Sequence, residues 1–190
     1  MKYALFCICL FLTGCSSLIS STFNIGNKVA PVLMDERELS DDIKDIQTNL
    51  AIRSRLTAEK AAYGLDVEIT VFEGEVLING AIPSIDDIEK IVEIVWQTEN
   101  VENVYNYLRL EEPSDIIETS DDALIASGIR TQLGLTQDIS STNYKMTVDN
   151  HVLYIIGIAK NQKEFDTVMD IIYTTDGIEK VICHVRKSYQ

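Results

Sequence analysis

The stretch "ITVFEGEVLINGA", Ile69 to Ala81, decides the fold, because it occurs twice. Its second appearance is "MTVDNHVLYIIGI", Met146 to Ile158, displaced by 77 residues. In each, apolar residues alternate (Ile69 and Val71, then Val76 and Ile78), which is the period of a strand with one buried face. The break "EGE" between them, and "DNH" in the copy, reads as a hairpin turn. Gly80 and Gly157 end the second strand at equivalent positions, where the chain bends or another backbone comes close.

The same displacement holds on both sides of this hairpin. "AIRSRL" (Ala51–Leu56) maps onto "GIRTQL" (Gly128–Leu133), and "VWQTENVENV" (Val95–Val104) onto "IYTTDGIEKV" (Ile172–Val181), without a gap. Three separated matches in one register indicate a duplicated unit. Before the hairpin, Ile52 with Leu56 and Ile129 with Leu133 stand at helical i, i+4 spacing, so helices are expected over about Asp42–Ala58 and Asp121–Leu135. After it, Ser84 with Asp87 and Asn161 with Glu164 are N-cap signals in the pattern of a capping box. They open a second helix with an apolar face of Ile88, Ile91, Val92, Val95 and Trp96, copied as Phe165, Val168, Met169, Ile172 and Tyr173. A last strand follows, about Glu102–Leu110 and Glu179–Lys187. The unit is therefore α-β-β-α-β, and the chain belongs to the α+β class. The second helix supplies the crossover that parallel pairing of the third strand requires. A three-stranded mixed sheet with both helices on one face is the simplest closure. The opposite sheet face, where Tyr105, Tyr107 and Tyr154 are expected, then needs cover, and packing of the two units against each other is one candidate.

The N-terminus is of another kind. "MKYALFCICLFLTGC" carries one cation, Lys2, and an apolar run from Tyr3 to Leu12, about half of the ~20 residues that a spanning helix needs. A short charged start, a short apolar run and small residues mark a secretory signal over residues 1–14. Leu-Thr-Gly-Cys, Leu12–Cys15, resembles a bacterial lipobox, which implies that Cys15 is acylated. Ser16 follows where enterobacterial lipoproteins retained at the inner membrane carry aspartate, so the resemblance implies the inner leaflet of the outer membrane. Residues 15–40 read as the anchor and a Ser- and Asn-rich tether; a flexible coil of roughly 25 residues averages about 25–30 Å end to end. Once Cys7, Cys9 and Cys15 are accounted for, Cys183 has no intramolecular disulfide partner. It reads as a buried small hydrophobe.

A lipobox followed by two such units resembles the dual BON-domain outer-membrane lipoproteins of Gram-negative bacteria. The resemblance rests on "VLINGA" and "LYIIGI" around the strand-ending glycine, and on "VENVYNYLRL" and "SDDALIASGIRTQL" between and into the second unit. It implies a first BON domain at 41–112, a linker at 113–120 and a second BON domain at 121–190. It also implies a non-enzymatic, lipid-anchored protein (a palmitate-carrying lipoprotein) on the periplasmic face of the outer membrane. Such proteins maintain envelope integrity, some gather at the cell division site, and the second domain is associated with anionic phospholipid. The alternative is a periplasmic interaction scaffold or chaperone that holds envelope proteins through sheet faces or strand edges.

Charge bears on this independently. The chain has 30 acidic and 16 basic residues, a formal net charge of −14, which disfavours anionic surfaces and nucleic acid as partners. The excess is uneven: Asp41–Glu112 holds 16 acidic and 6 basic residues, Asp121–Gln190 only 9 and 7. A domain that meets an anionic surface is therefore the second. There Leu124 stands among Ser127, Gly128 and Thr131, and its copy in the first unit is Gln47. It reads either as a shallow membrane insertion point or as a residue packed on the first domain or tether. Arg130 either meets phosphate or repeats a structural pairing of its copy Arg53. The candidate phospholipid contacts are thus Leu124, Gly128, Arg130 and Thr131. His151 and His184 replace Gly74 and Tyr107, no spacing suits zinc and no glycine-rich loop cradles phosphate, so no catalytic residue, metal or cofactor is expected. The runs "SDD" and "IDDIE" fit helix N-termini.

Overall fold

A computed structural model describes residues 36–111 and 116–188. The expected signal segment, Cys15 and most of the tether lie outside them. The first unit runs α1 (Glu36–Glu59), a short α2 (Tyr63–Asp66), β1 (Val67–Phe72), β2 (Glu75–Ile82), α3 (Ile85–Trp96) and β3 (Asn103–Leu110). The second runs α4 (Ile116–Leu135), a 3₁₀ turn at Ser141–Asn143, β4 (Tyr144–Asp149), β5 (Val152–Ala159), α5 (Gln162–Tyr173) and β6 (Lys180–Lys187). Both long helices begin earlier than their aspartates suggest. Residues 36–40 of the expected tether and 116–120 of the expected linker are helical.

In each sheet the central strand pairs antiparallel with the first and parallel with the third. The hairpins are two-residue turns with positive φ at both central positions, Glu73 and Gly74 in one, Asn150 and His151 in the other, the type I′ geometry that suits strand twist. A buried carboxylate from the first helix holds each turn. Asp45 accepts from the Glu73 and Gly74 amides at 2.8 and 3.3 Å. Its copy Asp122 accepts from those of Asn150 and His151 at 2.6 and 3.2 Å. Gly80 sits opposite Val67 and Gly157 opposite Tyr144. A Cβ at either position would collide with a backbone carbonyl, of Asp66 or of Asn143; the close approach, rather than a bend alone, is what requires glycine.

Each unit has its own core, with Ile52, Leu56, Ile78 and Ile91 fully buried in the first and Ile129, Leu133, Ile155 and Ile172 in the second. Burying such a side chain is worth about 1.5–3 kcal/mol. Trp96 and Tyr173 correct the expected helix face: they are 48% and 69% exposed, and the buried neighbours are Ile94 and Ile171. Ser84 and Asn161 cap as expected, accepting from the Asp87 and Glu164 amides. The acidic residues do not close the box. Asp87 instead takes Lys60 and Tyr63, and Glu164 takes the Ser140 and Lys160 amides. The Tyr63 hydroxyl, buried and bonded to Asp87, has its pKa pushed up to about 12. Cys183 is exposed on the edge strand β6 and is not the buried hydrophobe expected.

The central strands are buried along nearly their whole length, because the face away from the helices is also covered: the two sheets pack on each other. Tyr107 meets Tyr154 with ring centroids 5.2 Å apart, and Tyr105 stacks on His184 at 3.7 Å. The Tyr107 hydroxyl and His184 Nε2 are 2.7 Å apart. Tyr107 and His184 are copies of one another, so the contact lies on a pseudo-two-fold axis, as in an isologous dimer. Away from the axis, Arg109 of β3 forks onto Asp149 of the second hairpin. Its copy Arg186 reaches the first hairpin, pairing with Glu73 and Glu75 and lying 6.0 Å over the ring of Phe72, the copy of Asp149.

Candidate functional site

Because the sheets cover each other, the helices form the outer surfaces. On α4 three of the expected contact residues, Leu124, Gly128 and Thr131, share one outward region. Leu124 is 71% exposed and so does not pack on the first domain; most of the tether, the other expected cover, lies outside the described residues. Gly128 faces open space, with nothing within 4 Å of an added Cβ. Thr131 is exposed, its hydroxyl donating to the Ser127 carbonyl at 2.9 Å. Sequence reasoning missed Leu135, 81% exposed. Eleven residues after Leu124, it returns to within about 20° of the same azimuth at 100° per residue. The i, i+11 spacing was the available signal. Leu124, Ser127, Gly128, Thr131 and Leu135 thus form an outward strip without charge on a strongly acidic chain.

Arg130 turns away from that strip. Its guanidinium donates to the Met146 carbonyl at 2.6 Å. Arg53 makes a different contact, with the Gly64 carbonyl at 3.1 Å, so the shared structural pairing does not hold. In the first unit the carbonyl equivalent to Met146, that of Ile69, is taken by Asn49 at 2.8 Å. Helix side chains therefore occupy outward carbonyls on both edge strands β1 and β4, which blunts them against strand addition. On the edge strand β3, Asn106 caps the Leu108 amide at 3.0 Å.

Two clefts flank the line where β1 and β4 meet. The larger, about 630 Å³, lies between α1 and the β4 side and is lined by Ile46, Asn49, Thr70, Val71, Thr142 and Lys145 among others. The smaller, about 390 Å³, is lined by their copies Ala123, Ala126, Thr147, Val148, Leu65 and Glu68. One cleft is the pseudo-two-fold image of the other, and Arg130 borders both. Behind the smaller cleft, Asn79 is 1% exposed; its Nδ2 donates to Asp149 at 3.3 Å, while Oδ1 finds no donor among the described residues. Burial works against the Arg109 charge, but its bonds to Asp149 and Glu111 outweigh that and hold the guanidinium protonated. Asp45, by contrast, is pushed up by burial despite its two amide donors.

Among the described residues no group of three or more His, Cys, Asp or Glu side chains could hold a metal ion. No described helix is long and apolar enough to cross a membrane.

The profile of the BON domain matches residues 44–112 and 121–186. The chain is 31% identical over 139 residues to an uncharacterized protein in the gshII 5′ region of Anaplasma centrale, covering 72% of this chain and 92% of that one. It is 23% identical to the outer membrane lipoprotein DolP of Haemophilus influenzae, over 91% of this chain and 88% of that protein. It is 22% identical to the 21 kDa hemolysin of Actinobacillus pleuropneumoniae, over 83% and 74%. With two matched copies on the two halves of a pseudo-symmetric pair, this chain belongs to the BON domain family.

Proposed function

We propose that this protein is lipid-anchored at Cys15 to the periplasmic face of the outer membrane, where it supports envelope integrity. In this reading its second BON domain recognises anionic phospholipid through the outer strip of α4. The relative named outer membrane lipoprotein DolP supports the compartment, together with the lipobox-like Leu12–Cys15. The observation that carries the lipid reading is the exposure of Leu124 on an uncharged strip in the less acidic unit. An amphipathic helix binds shallowly when apolar side chains enter the headgroup boundary. Two leucines spaced along three turns are such side chains. Arg130, turned to the Met146 carbonyl, is not part of this strip. Since acyl chains already provide attachment, recognition by α4 sets orientation or location.

The scaffold reading is the weaker one, because the sheet faces cover each other and side chains occupy a backbone group on each of the edge strands β1, β3 and β4. Co-sedimentation of the unacylated mature chain, residues 16–190, with vesicles tests the proposal. Binding to anionic and not to neutral vesicles is expected, with loss in Leu124→Asp. Binding that is equal for both lipids, or unchanged in Leu124→Asp, removes α4 as the site.

A further inference from the structure

We propose that the larger cleft holds the alkyl chain of a free fatty acid, with its carboxylate between Lys145 and Arg130. This site is separate from the outer strip of α4 and does not depend on it. At about 630 Å³ the cleft lies within the roughly 300–1,000 Å³ of small-molecule sites. It would hold about 20 water-sized units at ~30 Å³ each, room for one alkyl chain and not for a two-chain lipid.

Its walls are more apolar than the fold requires. Ile46 and Leu50 on α1 are 60% and 61% exposed, and Leu133 and Met146 form the buried floor. Ile43, 53% exposed, continues the α1 stripe at i, i+3, i+7 spacing. The pseudo-symmetric cleft offers an internal comparison. The copy of Ile46 is Ala123, which lines that cleft, the copy of Leu50 is Ser127, and α4 packs on its own core without a large aliphatic side chain at either place. The large aliphatic side chains of α1 are therefore not part of the shared framework.

The polar end also differs between copies. Lys145 stands where the other cleft has Glu68. Its Nζ is 3.8 Å from Asp42, too far for a hydrogen bond, so its donors remain available. Arg130 gives Nη2 to the Met146 carbonyl, leaving Nη1 for a ligand. Of the two carboxylates in the cleft, Asp45 is turned to the hairpin amides and Asp42 stands beside Lys145. A carboxylate entering beside Lys145 and Arg130 finds two cations, which a chain of net charge −14 rarely offers.

Native mass spectrometry and calorimetry with laurate below its micellar concentration, on the unacylated mature chain, residues 16–190, test this. One laurate per chain is expected. Leu50→Glu removes apolar contact and Lys145→Glu removes a cation, and each weakens binding about 10-fold or more. Glutamate is already the residue at the Lys145 copy, and Leu50 is exposed, so both variants fold; circular dichroism verifies it. Ala123→Glu in the other cleft leaves laurate affinity unchanged. Leu124→Asp also leaves it unchanged, whatever happens to vesicle binding. No stoichiometric laurate, variants within about twofold of the parent, or equal affinity for uncharged dodecanol overturns the assignment. So does a concentration-dependent dimer that Leu50→Glu abolishes, which would give the cleft to a second copy of the chain.

Discussion

Asp149→Ala tests how the two domains hold each other. Asp149 receives a fork from Arg109 and a bond from Asn79, and the Asp149 and Arg109 side chains are only 20% and 22% exposed. Removing one partner of a buried ion pair costs about 3–5 kcal/mol. Partial exposure, and Glu111 as a remaining partner for Arg109 at 3.1 Å, bring the expected loss to about 2–3 kcal/mol. For a chain of this size that lowers Tm by about 5–10 °C. The duplication supplies its own rescue. In the mirrored contact Phe72 stands for Asp149 and Ile156 for Asn79. A cation over an aromatic face is worth about 0.5–2 kcal/mol, and replacing Asn79 also removes a buried acceptor without a donor, a cost of about 1–3 kcal/mol. The double variant Asn79→Ile, Asp149→Phe is therefore expected at or above parental stability, since apolar replacement of a buried ionic group is often neutral or stabilising. Thermal and urea unfolding followed by circular dichroism measure both. If Asp149→Ala falls within about 0.5 kcal/mol of the parent, or the double variant is less stable than the single, the interface is not organised as described.

Other expectations concern the hairpins and the axis. Gly80→Ala and Gly157→Ala each force a backbone carbonyl away from the sheet and are expected to cost about 3 kcal/mol or more, with faster hydrogen exchange in the affected hairpin; parental stability in either variant refutes the close-approach argument. Burial lowers the His184 pKa from its ordinary 6.5, against an opposing pull from Glu75. The unfolded chain therefore binds the proton first, and stability is complete above pH 6.5 and falls as pH drops toward the folded value. His184→Tyr, which copies Tyr107, should flatten that slope in unfolding curves taken between pH 5 and 7.5; an unchanged slope assigns it to another group.

Most of the fold was legible because duplication marks it. Alternation around Gly80 and Gly157 specified the strands, and a copied sequence exposed the unit. What escaped was local competition between partners. The helical pattern at Trp96 and Tyr173 is apolar, yet the azimuth of these residues passes beyond the sheet, and Ile94 and Ile171 take the buried place. Cys183 lies on an edge strand, where alternation predicts a face but not how far the helices extend over it. The hairpin carboxylates Asp45 and Asp122 were visible as a conserved pair under the displacement. Their role depends on a turn 28 residues downstream, which no local pattern reveals. On α4, Leu124 was singled out through its difference from its copy Gln47, whereas Leu135, past the aligned helix motif, was overlooked.

The internal symmetry separates framework from function more sharply than either domain alone. Features the two copies share, the turn-holding aspartates, the strand-ending glycines and the reciprocal arginines, are those the paired sheets need. Features they do not share lie on the helical surfaces and in the clefts: Leu124 against Gln47, Ser127 against Leu50, Lys145 against Glu68. A second copy that holds the first in place frees each outer surface from folding duty. The surface strip of α4 and the groove beside α1 have then diverged differently, one gaining Leu124 and Leu135 on an open helix face where the copies are Gln47 and Ala58, the other gaining aliphatic walls and a lysine in a cleft. The two proposals give these surfaces different apolar ligands, a bilayer surface for the first and a single chain for the second. Exchanging the residues between copies, Leu50→Ser with Lys145→Glu, should then abolish fatty-acid binding while leaving sedimentation with anionic vesicles intact. Loss of both activities together would mean that cleft and strip form one site.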